Sequence, residues 1–308
     1  MVVLPEDESE MEATRMSLGD HLQELRGRLF KSVVVLAIAF VAIYSWRFEA
    51  FGMIQAPHRQ AMEMLNAARA EHFEGKLEAA EEAGAPLDPL EYFEPGYPER
   101  RVLVDRLRSD DRLLNFTSDQ GFVLRLRVCF WLAVFVAAPF MLWQMWGFIA
   151  AGLYRNERRV VYRSVPVSML LFLGGVGFGY RVMVPYALYF LGIDDIELET
   201  LAVTAQTADH YLGFLKGLAL AMGAVFQLPV IMMALTKLGL VGPGFWAEYR
   251  RHTIVGALVL AAIITPPDPV TQMLMAGPII ILYEVGIWVA RLTTPQERDG
   301  SAVANAAP

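Results

Sequence analysis

Two glutamates stand where a carboxylate could receive a cationic partner. Glu24, in HLQELRGRL, lies just before the first apolar stretch, and Glu157, in MWGFIAAGLYRNERRVV, stands among Arg155, Arg158, Arg159 and Arg163 in the loop after the second. A carboxylate takes the planar fork of a guanidinium through two parallel hydrogen bonds, so two such acids on one membrane face suit a partner with paired guanidinium groups. Each also has a simpler account. Glu24 is four residues before Arg28, the spacing of a helical surface ion pair worth about 0.2–0.5 kcal/mol, and Glu157 is neutralised by the arginines around it. Both accounts stay open.

Two further polar residues lie deep in apolar runs. Gln227, in AVFQLPV, precedes Pro229, and Glu284, in LYEVGIW, precedes Arg291 by seven residues. Polar groups at such depth face protein or a wet cavity. Gln227 suits a partner helix or an interhelical hydrogen bond beside a proline-freed carbonyl, and Glu284 either pairs with a neighbouring span or lies neutral. The chain has no Gly-rich phosphate loop ending in Lys-Ser/Thr, no zinc-type His/Glu helix and no Gly-x-Ser-x-Gly elbow, so no catalytic residue, metal or cofactor is expected. In LGGVGFGYR, which follows no strand, Gly175 and Gly179 read as close helix packing. Cys129, the single cysteine, can form no intramolecular disulfide and reads as a small buried hydrophobe.

The elements that hold these residues are apolar helices. Of 308 residues 55% are hydrophobic and 19% charged, and the net charge of -7 argues against a nucleic-acid partner. Stretches near the roughly 20 residues that cross ~30 Å of hydrocarbon run from Leu29 to Trp46, Val128 to Ile149, Val165 to Leu191, Tyr211 to Leu235, Thr253 to Pro266 and Val270 to Val289. This predicts an all-α polytopic membrane protein with six transmembrane helices. The fifth stretch, about 14 residues, reaches only ~21 Å, so its helix starts earlier, near Trp246, or the bilayer thins around it.

Lys and Arg in the short loops place both termini in the cytoplasm. Arg125 and Arg127 dissent, since they precede the second span on the outer side, where they can snorkel to headgroups. Residues 1–16 form an acidic tail unlike a secretory signal. The six-helix domain covers 17–291, interrupted by an extracytoplasmic insertion over 60–112, within which EMLNAARAEHFEGKLEAAEEAG reads as an amphipathic helix. Residues 292–308 read as a disordered cytoplasmic tail. At the start, Leu18, Leu22, Leu25 and Leu29 share one helix face, with Ser17 and Asp20 as N-terminal caps.

The stretches HLQELRGRL, PFMLWQMWGFIAAGLYRNERR, FQLPV and ITPPDPVTQMLMAGPIIILYEVGIWVAR together are similar to the TatC family, the multispanning receptor of the twin-arginine protein translocase. The resemblance implies a non-enzymatic, multi-pass receptor in the cell inner membrane. Such a receptor binds twin-arginine signal peptides of folded precursors, recruits single-span TatA/TatB-type subunits and works on the proton gradient within a homo-oligomeric complex in the lipid bilayer. It also implies that Glu24 and Glu157 bind the signal peptide, with Arg26 and Phe148 in the same site, and that Pro266, Pro267 and Asp268 form the outer turn. The chain departs from the family where many relatives carry glutamate and it has Gln227, in the AAGLYRNE turn where relatives commonly have a proline, and in the insertion. The alternative function is a secondary transporter of small solutes, although no half-to-half repeat is visible. An intramembrane enzyme ranks third.

Overall fold

The computed structural model describes residues 18–82, 118–197, 208–265 and 268–293. The acidic tail with Ser17, most of the insertion, the Pro266–Pro267 pair and the segment after Thr293 lie outside the described residues, which are helical nearly throughout. Helix α1 covers Leu18–Ser45 and α2 Arg47–Glu82. After the undescribed stretch come α3, Ser118–Ala151, and α4, Arg155–Phe178. A single π-helical turn, Gly179–Met183, joins α4 to α5, Val184–Glu197, in one rod. Then follow α6, Ala208–Val225, and α7, Leu228–Lys237, which are nearly collinear across a break at Phe226 and Gln227. The rest is α8, Pro243–Glu248, α9, Arg250–Ile264, and α10, Pro269–Thr293.

Among the described residues, five helices are long and apolar enough to cross a membrane: α1, α3, the α4–α5 rod, the α6–α7 rod and α10. The remaining expected span corresponds to α9, whose 15 residues fall short of that length. Its helical path does start earlier, in the manner expected near Trp246. Tyr249, at φ -84 and ψ 8, kinks the chain, but Tyr249 N–H still bonds Phe245 O at 3.1 Å and Thr253 N–H bonds Tyr249 O at 3.0 Å. The first span also starts well before Leu29, because α1 continues back through the polar turns to Leu18.

The α6–α7 rod is the hub, with 56% of its most apolar window buried against 6% for α1. Tyr211, Leu215, Leu218 and Met222 of α6 meet Met183 and Leu188 of the α4–α5 rod, Val128 of α3, Ala257 of α9 and Met275 of α10 in one core. The closest approach is to α4. Residues Ser168, Phe172, Gly175 and Gly179 recur at the spacing of one helix face, and they meet Gln227, Gly223, Met222 and Ala219 in antiparallel order. A Cβ at Gly175 would stand 2.6 Å from Met222 O, and one at Gly179 2.9 Å from Ala219 Cα. The two glycines are therefore the close packing positions their sequence context suggests.

Helix α2 leans on α5 and buries Ala50, Ile54, Ala61 and Leu65. Ala61 and Leu65 belong to the segment assigned to the insertion, so its first turns are part of the packed core and its amphipathic stretch continues the helix that starts at Arg47. Pro57 lacks an N–H and leaves the carbonyl of Met53 without its helical donor. The hydroxyl of Tyr180, in the π turn, donates to that carbonyl, and Tyr211 donates to Ile54 O at 2.7 Å. The carbonyl freed by Pro57 is thus satisfied by a neighbouring side chain.

Replacing Gly175 or Gly179 with Ala forces backbone apart and should cost about 1–3 kcal/mol. Gly174, which has nothing within 4 Å of a would-be Cβ, should accept Ala without loss. Thermal unfolding of the three variants in detergent checks the difference.

Candidate functional site

The first turns of α1 expose their leucines: Leu22 is 65%, Leu25 40% and Leu29 62% accessible. In a membrane helix this is the lipid face, and the polar stripe His21, Glu24, Arg28 and Ser32 turns inward to α3. Arg28 anchors that stripe. Its Nε and Nη2 both hold Glu24 Oε1 at 2.7 Å, and its Nη1 donates to Gln144 Oε1 of α3 at 3.4 Å. Gly147 makes the room, since a Cβ there would overlap the guanidinium. The expected ion pair therefore exists, yet it uses one carboxylate oxygen, and a carboxylate has about four lone-pair sites. One turn earlier the ring of His21 stacks on Phe148, with centroids 4.2 Å apart and planes 23° apart, beside Gly152.

Between α3 and α4 the chain reverses over three residues. Arg158 reaches back and donates from Nε to Leu153 O and from Nη2 to Ala151 O, both at 3.0 Å, which satisfies carbonyls at the end of α3. Glu157, at the third position of α4, accepts the N–H of Tyr154 on Oε2 at 3.0 Å. Its charge also suits the positive end of the helix dipole. Glu157 thus caps the start of α4, a backbone role beside the charge role its arginine-rich surroundings suggest. Arg26 is exposed on α1. The contacts of α1 with α3 and the short turn into α4 bring Glu24, Phe148 and Glu157 to the same end of the molecule.

Gln227 is 6% accessible and closes a buried polar chain through three helices. Trp146 Nε1 of α3 donates to Ser168 Oγ of α4 at 2.8 Å; that hydroxyl donates to Gln227 Oε1; and Gln227 Nε2 donates back to Ser168 O at 3.1 Å. The amide thus bonds within the chain at both ends. The interhelical bond, one of the two readings of Gln227, is present. Glu284 pairs with Arg250 of α9 at 2.8 Å, both near half exposed. Asp268 caps α10. It accepts Thr271 N–H at 2.7 Å and Val270 N–H at 3.3 Å, and Pro269 takes the first helical position, where a missing N–H costs nothing. Partial burial pushes its carboxyl up, but the donors of Thr271 and Val270 outweigh this and hold it below the ordinary carboxylate range. Among the described residues no group of three His, Cys, Asp or Glu is placed to hold a metal ion.

His21, Ser168 and Arg158 were not singled out from sequence. The signal for Arg158 was its place just after a helix end, where a long basic side chain can reach free carbonyls. Ser168 and His21 carry no such mark, because each is defined by a partner distant in the chain.

Residues 20–278 match the family model described as TatC, Sec-independent protein translocase protein. The TatC of Halothiobacillus neapolitanus is 34% identical over 88% of this chain, which spans only 61% of that relative's length. The TatC of Deinococcus radiodurans is 31% identical, covering 92% of this chain and 90% of its own. TatCy of Bacillus subtilis is 29% identical with 95% of both covered. A crystal structure described as a twin arginine translocase receptor, TatC, aligns with a TM-score of 0.62 and 28% identity over 89% of this chain and 100% of that one.

Gln227→Leu strands Ser168 and should cost about 1–3 kcal/mol. Combined with Ser168→Ala it should cost less than the sum of the two, with a coupling of about 0.5–3 kcal/mol in denaturant unfolding. Asp268→Ala should cost about 0.5–2 kcal/mol. Because the folded carboxyl lies below its unfolded value near 3.9, this stabilisation is complete above that pH and fades as pH falls through the folded value. Asp268→Asn should keep much of the cap and lose that acid dependence in pH-resolved melts.

Proposed function

The chain belongs to the TatC family of Sec-independent protein translocase proteins, and from that premise we propose that it is the receptor subunit of a twin-arginine translocase. It is a multipass membrane protein. In this reading it sits in the cell inner membrane and binds the signal peptides of folded precursors at the end that carries Glu24 and Glu157. It passes the precursors on with single-span TatA/TatB-type subunits, and the proton gradient drives export. The relatives are named as protein translocase components, not as solute carriers or enzymes.

One observation carries the reading. Both acids stand at the same end, and among the described residues each commits a single oxygen: Glu24 Oε1 to Arg28, and Glu157 Oε2 to the Tyr154 N–H. Each keeps an oxygen for an incoming guanidinium. Arg28 then acts as a resident stand-in for the ligand. It holds Glu24 in place without a signal peptide, and Gln144 offers its guanidinium another acceptor when a signal arginine takes the carboxylate. Phe148, under His21, forms an apolar floor beside the acids, and exposed Arg26 borders the site. Ser168 supports the site from below by joining α4 to α3 through Trp146, with Gln227 tying α4 to the α6–α7 rod, and the lipid face of α1 is free for a single-span partner helix.

Binding of a twin-arginine signal peptide to the purified receptor tests this. Glu24→Gln or Glu157→Gln removes one charge-assisted hydrogen bond of about 1.5–3 kcal/mol and should weaken binding roughly ten- to hundred-fold with little change in melting. The double variant should no longer separate a twin-arginine from a twin-lysine signal, because no carboxylate remains to reward the planar fork. Arg28→Gln should bind the signal more tightly, since the competing guanidinium is gone. The reading fails if the double variant binds both signals as the unmodified chain does.

A further inference from the structure

At the opposite end of the bundle, the last turn of α1, the start of α2 and the early turns of α3 enclose a cavity of about 260 Å³, open on one side and lined by Tyr44, Arg47, Phe48, Phe122 and Arg125. Its polar walls are two half-buried guanidinium groups. Arg47 lies 5.3 Å from the Tyr44 ring and 4.8 Å from the Phe48 ring and donates to Tyr44 O at 3.4 Å, so its head is held toward the cavity mouth. Among the described residues neither arginine meets a carboxylate. Their neighbour differs: Arg127, two residues along α3, pairs with Asp209. A half-buried cation without an anion is costly, and two that face one cavity repel each other.

The surroundings say what kind of anion reaches this place. Trp46 is 75%, Phe48 65% and Phe122 52% accessible, and aromatic side chains exposed at the end of transmembrane helices mark the headgroup level of a bilayer. Of the two arginines that depart from the charge rule orienting the remaining loops, Arg127 pairs with Asp209 and Arg125 lines this cavity. A phosphodiester offers two oxygens to guanidinium forks, and its acyl chains continue along the exposed apolar faces of α1 and α3. We propose that Arg47 and Arg125 form a binding site for the phosphate of an anionic phospholipid in the leaflet opposite Glu24 and Glu157. The site joins the start of α2 to α3, with Tyr44 of α1 in its wall.

Native mass spectrometry of the full chain in neutral detergent tests the site, with phosphatidylglycerol and phosphatidylcholine of the same acyl chains as probes. Phosphatidylglycerol should be retained in clear preference. Arg47→Gln and Arg125→Gln should each lower its retention roughly five-fold, and together bring it to the phosphatidylcholine level. Arg47→Lys with Arg125→Lys, which keeps the charge and discards the fork, should fall between. Arg127→Gln, at a paired arginine, should leave retention unchanged, and melting curves show which variants remain folded. The proposal is overturned if the two lipids are retained equally by the unmodified chain, if Arg127→Gln lowers retention as much as Arg125→Gln, or if millimolar inorganic phosphate displaces phosphatidylglycerol and takes its place.

Discussion

The approach of α4 to the α6–α7 rod sets the positions of nearly everything else. Hydrophobic burial gives little force between helices surrounded by lipid, so close van der Waals contact and interhelical hydrogen bonds hold them. Here both act along one stripe of α4. Gly175 and Gly179 let backbone meet backbone, Phe172 fills the space over Gly223, and Ser168 hands its hydroxyl and carbonyl to Gln227. Because Ser168 also takes the indole N–H of Trp146, the stripe fixes α3 as well. The end of α3 and the start of α4 carry Phe148 and Glu157, and α1 is laid against α3. A packing rule in the interior thus reaches the acids at the surface through two helix contacts.

At that surface the charges are arranged by backbone needs as much as by each other. Arg158 serves the carbonyls at the end of α3, Glu157 serves an N–H at the start of α4, and Arg28 fills the gap beside Gly147 while holding Glu24. The helix ends would otherwise keep unmet donors and acceptors. The same groups that close the turn engage one oxygen of each carboxylate. In the proposed reading the structural and recognition roles fall on different oxygens of the same side chain.

Much of this architecture was legible in the sequence. Apolar length located most of the long spans, the glycine run announced close packing, and Gln227 beside Pro229 suggested an interhelical bond. Span ends were less legible, because hydropathy stops at the first charges: α1 and α3 run on past Arg28 and Arg125, whose polar faces turn to protein or to the bilayer edge. The motif LQELRGRL showed which face of α1 was apolar, though not that this face meets lipid while the polar one meets α3. Asp268 was placed in its turn by resemblance, although an acid before Pro and an apolar run is itself a helix start. His21 on Phe148 and Ser168 on Gln227 were out of reach, since residue types alone do not say which distant neighbour a side chain meets.

The π turn in the α4–α5 rod acts as a phase shifter. Continued from Gly179 at α-helical spacing, the buried stripe of α4 would next bring Tyr186 inward. Instead Met183, Val184, Ala187 and Leu188 are buried and Tyr186 is 41% accessible. A π turn holds one residue more than the α turn it replaces, and each residue advances a helix by about 100°. The extra residue is taken up in the wide turn, so the buried stripe of α5 stays in line with that of α4, which packs on α6 while α5 packs on α2. Were the same residues wound there as a continuous α-helix, α5 would be rotated by that angle, with its inner side chains presented to lipid and Tyr186 driven into the core.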